Sequence, residues 1–200
     1  MTFSTYADLK TNMADWLARD DLTSNLDNFI TLFESAINRK LFRVRQKETT
    51  ATLTPSSGTV ALPSDYLSAI RLTWTGSPRI DLDYVHPSYL QMIYPTSPTD
   101  VPRIYTIEGS NILVRPVNDT ALELLYNQKT AALSGSLNWL YTNYPDVYLA
   151  GSLVEAYQFV KDTENMAIWG TRLETALSEI RSNTFNQAGN MTIKVMGFTP

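Results

Sequence analysis

Apolar residues recur every three or four positions at both ends of this chain and every second position through its middle. Tyr6, Leu9, Met13, Trp16 and Leu17 fall on one face of a helix that Ser4 or Thr5 can cap. Polar Arg19-Asp20-Asp21 and the capping types Thr23 to Asn25 then lead to a second stripe, Leu26, Phe29, Ile30, Phe33, Ile37 and Leu41. The spacing predicts a helical hairpin.

From residue 48 the period drops to two. Ile70, Leu72 and Trp74 alternate with polar residues, as do Ile80, Leu82 and Tyr84 around Asp81 and Asp83, and Leu122, Leu124 and Tyr126 around Glu123. Pro55-Ser56-Ser57-Gly58, Gly76-Ser77-Pro78 and Gly109-Ser110 supply the turns. Pro87–Tyr94 reads as one short helix on this sheet. Helical spacing returns with Tyr144-Pro145-Asp146 as a start, followed by Val147, Ala150, Val154 and Tyr157. Asp162-Thr163 recaps, and Met166, Trp169, Leu173, Ala176, Leu177 and Ile180 form the cleanest stripe of all.

The pattern therefore predicts an α+β fold: a helical bundle built from N- and C-terminal helical hairpins, with an inserted small antiparallel β module and an extended C-terminal tail. The expected boundaries are 1–47 for the first hairpin, 48–128 for the β module, 129–184 for the second hairpin and 185–200 for the tail.

Composition narrows the class without naming an activity. Of 200 residues, 44% are hydrophobic and 18% charged, which excludes a disordered chain. Apolar runs stop at four residues (Met166–Trp169), too short for a membrane span, and no secretory leader pattern opens the chain. The absence of cysteine removes disulfides and thiol chemistry and fits a cytoplasmic product. A net charge of −4 argues against a general nucleic-acid binder. The charge is uneven, however: residues 1–47 carry seven bases against six acids.

The search for chemistry returns little. No phosphate-binding glycine loop occurs, and His86 is the only histidine, so a zinc site lacks its ligands; a Ser-His-Asp triad would have to run through His86, which precedes Pro87 in an expected loop and reads rather as an ordinary surface or packed histidine. No catalytic, cofactor or metal residue is assigned. Asp81 and Asp83, two apart on one expected strand, would share a face, and read either as a carboxylate pair or as its solvated side. Arg39, Lys40, Arg43, Arg45 and Lys47 form a run without an acid; it is either helix-end decoration or a partner-facing patch. Trp139, Tyr141, Tyr144 and Tyr148 read as core or as an interface cluster. The tail alternates enough at Met191, Ile193, Val195 and Phe198 to add a strand to another chain or to fold back locally. The partner-interface candidates are thus Arg39, Lys40, Arg43, Arg45, Trp139, Tyr141, Met191, Ile193, Val195 and Phe198.

Four blocks in order resemble the head-to-tail adaptor (head-completion, or connector) proteins of tailed bacteriophages. They are Ala14-Asp15-Trp16-Leu17-Ala18-Arg19-Asp20-Asp21-Leu22-Thr23 with Glu34-Ser35-Ala36-Ile37-Asn38-Arg39-Lys40-Leu41; Gly58-Thr59-Val60-Ala61-Leu62-Pro63-Ser64-Asp65-Tyr66-Leu67; Pro102-Arg103-Ile104-Tyr105-Thr106-Ile107-Glu108-Gly109 leading to Leu122–Tyr126; and Asn138-Trp139-Leu140 with Tyr144-Pro145-Asp146-Val147-Tyr148-Leu149-Ala150-Gly151. The similarity spans residues 5–182. It implies a non-enzymatic virion protein at the head–tail junction, assembled in the host cytoplasm. Twelve copies would form a ring beneath the portal protein, extend the DNA channel without sequence-specific contact, and offer a platform to a tail or nozzle protein. From another class, the alternative is a phage-associated hydrolase or glycan-binding module using Asp81 and Asp83 or the Trp139–Tyr148 aromatics.

Overall fold

The computed structural model describes residues 2–41, 44–134 and 136–186. The chain divides into two compact units. One joins Met1–Arg45 to the chain from Ala132 onward, and the other is Gln46–Ala131.

The first unit is helical. Helix α1 (Tyr6–Leu17) opens with a capping box: the Thr5 hydroxyl accepts from Asp8 N–H at 3.1 Å, while the Asp8 carboxylate accepts from Thr5 N–H at 3.0 Å. It stops at Ala18, whose φ of 50° lies in the left-handed region. A 3-10 turn (Asp20–Asn25) feeds α2 (Leu26–Lys40), which buries Leu26, Phe29, Ile30, Phe33 and Ile37. After the β unit come α4 (Trp139–Asn143), α5 (Pro145–Phe159) and α6 (Thr163–Asn186).

The expected bundle of two hairpins is corrected here. Val147 to Leu153 of α5 are buried without a break, so this helix has no solvent face along that stretch. A helix apolar on all sides belongs at the centre. Helices α1, α2, α4 and α6 each pack on α5, and α1 and α2 meet it more extensively than they meet each other. The architecture is α+β with a central helix.

The second unit carries two four-stranded sheets instead of one small antiparallel module. The strands are β1 (Glu48–Leu53), β2 (Thr59–Ala61), β3 (Tyr66–Trp74), β4 (Ile80–Asp81), β5 (Asp83–Tyr84), β6 (Ile104–Glu108), β7 (Asn111–Arg115) and β8 (Leu122–Gln128). One sheet has the order β1-β8-β3-β4, the other β2-β7-β6-β5. β5 and β6 run parallel, with Asp83 opposite Ile104; the remaining pairs are antiparallel. Leu72, Trp74, Leu122, Leu124 and Tyr126 from one sheet and Tyr105, Ile112 and Val114 from the other form a shared core. Between β5 and β6 lies the short α3 (Pro87–Ile93), begun by His86, whose Nδ1 accepts from Ser88 N–H at 3.3 Å. The expected tail, 185–200, falls almost wholly outside the described residues.

Candidate partner interface

The basic run does not act as one patch. Arg39 and Lys40 sit in the last turn of α2, where cations favour the negative helix end. Arg39 is exposed and donates to Ser35 Oγ at 3.1 Å. Lys40 pairs with Glu174 of α6, and Arg181 donates to the Lys40 carbonyl at 3.2 Å. Arg43 lies outside the described residues, and Arg45 is exposed. Lys47 is turned inward, and burial lowers its ammonium to about 8.

The aromatic cluster is largely core. Tyr141 and Tyr148 are buried and meet edge to face, centroids 5.5 Å apart, and Phe33 of α2 meets Tyr148 at 5.2 Å. Their hydroxyls are satisfied internally. Tyr141 donates to the Thr5 carbonyl at 2.9 Å; Tyr148 donates to Glu34 Oε1 at 3.1 Å and accepts from Asn138 Nδ2 at 2.6 Å. Glu34 Oε1 also accepts from Leu133 N–H at 2.6 Å. Burial raises the Glu34 carboxyl above the ordinary carboxylate range, and it pushes the Tyr141 phenol up to about 12. Trp139 is only half-buried, and its shielded Nε1–H has no acceptor among the described residues.

Asp81 and Asp83 are not a pair. The chain changes partners at Leu82, whose N–H donates to the Leu72 carbonyl at 2.8 Å, whereas Asp83 N–H donates to the Arg103 carbonyl at 3.1 Å. Asp81 thus ends in one sheet and Asp83 in the other, because buried Leu82 anchors the switch. Asp81 accepts from Thr73 Oγ1 at 2.5 Å and lies 3.8 Å from Arg71, which spans to Glu123 at 3.8 Å. This is a solvated ion network on the sheet surface. Among the described residues no His, Asp and Glu gather into a metal-binding group, and no helix is long and apolar enough to cross a membrane. Met191, Ile193, Val195 and Phe198 lie outside the described residues.

Two surfaces that present large exposed apolar side chains escape the sequence reading. On the helical unit, Trp16 and Trp169 meet edge to face, centroids 5.0 Å apart, on a cleft of about 670 Å³ that Tyr157, Ile168 and Arg172 also line. The Arg172 guanidinium lies over the Trp169 ring, 5.3 Å from its centroid. On the β unit, α3 buries Leu90 and exposes Tyr89, Met92 and Ile93. Trp16 and Trp169 each look like ordinary stripe residues in sequence; the only signal was that each stripe carried a tryptophan.

Among the described residues, Asp8, Glu34, Lys40 and Asp81 are engaged in capping, packing and ion pairs, and the α+β scaffold presents cations, aromatics and apolar side chains outward. Residues 4–194 match the family model described as SU10 adaptor protein, and the chain belongs to that family, a phage head-to-tail adaptor family. Membership makes it a virion component of the head–tail junction, associated with portal and tail proteins. No curated protein matches the chain.

Proposed function

We propose that the protein is a non-enzymatic adaptor whose copies form a twelve-fold ring beneath the portal, continuing the DNA channel and presenting the surface on which the tail assembles. The observation that carries this reading is the family match across residues 4–194, nearly the whole chain. The charge is compatible with it: each copy brings four net negative charges, so a ring repels duplex DNA on average and lets it slide.

The partner surface in this reading draws on Arg39, Arg43 and Arg45, on half-buried Trp139, and on the apolar positions Met191, Ile193, Val195 and Phe198. Lys40 and Tyr141 serve it indirectly, Lys40 by tying α2 to α6 through Glu174 and Tyr141 by holding α4 to the start of α1. Assembly takes place in the host cytoplasm. The test is the mass of the protein in solution with and without purified portal. A closed ring on the portal is expected, and Arg43→Ala with Arg45→Ala should flatten the salt dependence of its formation. A chain that stays monomeric beside the portal overturns the proposal.

A further inference from the structure

The two surfaces described above differ in shape, and each presents large apolar side chains. The cleft of the helical unit is concave and mixed, lined by two indoles and Ile168 together with Arg19, Asp162 and Arg172, whose guanidinium lies over Trp169; Trp16 is 43% exposed and Ile168 59%. The α3 face projects outward, with Met92 69% exposed beside Tyr89 and Ile93, and Pro87–Ile93 contains no charged residue. A thioether and an aliphatic side chain pack against the exposed part of an indole, and a phenol ring stacks on a guanidinium.

The charges flanking the two surfaces are complementary as well. Most charged groups at the cleft are already engaged: Arg19 pairs with Asp21 at 2.7 Å, and Asp162 accepts from Asn165 Nδ2 at 2.7 Å. Arg172 has no carboxylate partner among the described residues. Asp83, exposed on β5 just before α3, has no cation partner among them.

We infer that the Trp16–Trp169 cleft of one copy receives the α3 face of the next copy, with Asp83 of the second reaching Arg172 of the first. The contact joins two different patches of the same chain, so it is heterologous and propagates from copy to copy, which is what a closed ring requires. A two-fold dimer would need one patch to meet itself. The indoles and Arg172 are the hot-spot types of such an interface, and the uncharged α3 face avoids burying an unpaired ion against them. This inference rests on the ring reading above and specifies its contact.

The chain lacks cysteine, so single thiols can be placed without background. Met92→Cys and Ile168→Cys are both at exposed positions and should fold. In portal-bound assemblies treated with a short bis-maleimide, the chain carrying both substitutions should give a ladder of covalent oligomers. Either substitution alone should remain monomeric. Independently, Arg172→Asp should raise the concentration needed for half-assembly by about tenfold, and adding Asp83→Arg should restore it. Rings that form without a ladder, or a charge swap that restores nothing, overturn this contact and leave the ring reading standing. A wild-type chain that forms no ring with the portal overturns the ring reading and this contact with it.

Discussion

Gly151 of α5 faces the ring of Phe33 on α2 so closely that a Cβ placed there would lie 2.1 Å from two ring carbons. The absent side chain lets the central helix seat against α2. Gly151→Ala should therefore destabilise the protein by about 1–3 kcal/mol through overpacking, outweighing the roughly 1 kcal/mol that alanine gains over glycine within a helix. Thermal melts followed by circular dichroism check this. Adding Phe33→Leu should recover part of the loss, and a double variant no better than the sum of the singles would show that the ring is not the obstacle.

Glu34 holds the middle of the helical unit together while half-buried. Its carboxyl is raised above the usual 4.5 by burial, although Leu133 N–H and the Tyr148 hydroxyl both favour the ionised form. A raised carboxyl binds more protons folded than unfolded, so its contribution to stability falls as pH rises from about 4.5 through the folded value. Relative to Glu34→Gln, the wild type should lose stability in urea titrations as pH rises above about 4.5. A difference that stays flat with pH contradicts the argument. Glu34→Ala should cost about 2–3 kcal/mol at the acid end of the titration, because two inward-facing donors lose their acceptor, and less as pH rises.

The start of α1 titrates in the opposite sense. The Ser4 N–H first, then Thr5, lowers the Asp8 carboxyl below 3.8, so the cap's contribution is full above that value and disappears as pH falls through the folded one. Thr5→Ala should cost about 1 kcal/mol near neutrality. Its effect should also reach α4, since the Thr5 carbonyl accepts the Tyr141 hydroxyl. Hydrogen exchange at the amides of Tyr6 to Leu9 and of Tyr141 to Asn143 should quicken together. Unchanged protection in the second group would refute the link.

Two turn glycines of the β unit should respond differently to alanine. Gly58 has φ +71° and a prospective Cβ 3.1 Å from both the Val114 carbonyl and Arg115; Gly109 has φ +59° and open space around it. Gly109→Ala should cost about 1 kcal/mol, the left-handed penalty alone, and Gly58→Ala clearly more. Equal losses in denaturant midpoint would mean that the crowding at Gly58 relaxes freely.

The amphipathic elements are the ones that period alone makes legible. The α2 stripe from Leu26 to Ile37 is the buried set observed, and the inward residues of β8 are Leu122, Leu124 and Tyr126. What period could not reveal is α5, where Leu149, Ser152 and Leu153 are as buried as Val147 and Ala150: a helix enclosed on every side carries no stripe, and its central place reads as one arm of a hairpin. The two-sheet arrangement was hidden for a different reason. β4 and β5 are two residues each, and the exchange between sheets at Leu82 depends on partners near Leu72 and Arg103 that no local pattern announces. The cleft fared likewise. Trp16 and Trp169 come together only because α1 and α6 both pack on α5.

The pairing of β1 with β8 places Glu48 opposite Asn127, so the first and last strands of the β unit are direct neighbours. The helical core, by contrast, must bring Phe33 to Gly151 across the whole intervening chain. Once β1 and β8 have zipped, that excursion shortens to about a third of its length, and the entropy of closing it drops by roughly 1 kcal/mol. The inserted sheets thus act as a folding clasp. Loosening the β1–β8 zipper would slow the formation of the helical core without removing one of its contacts.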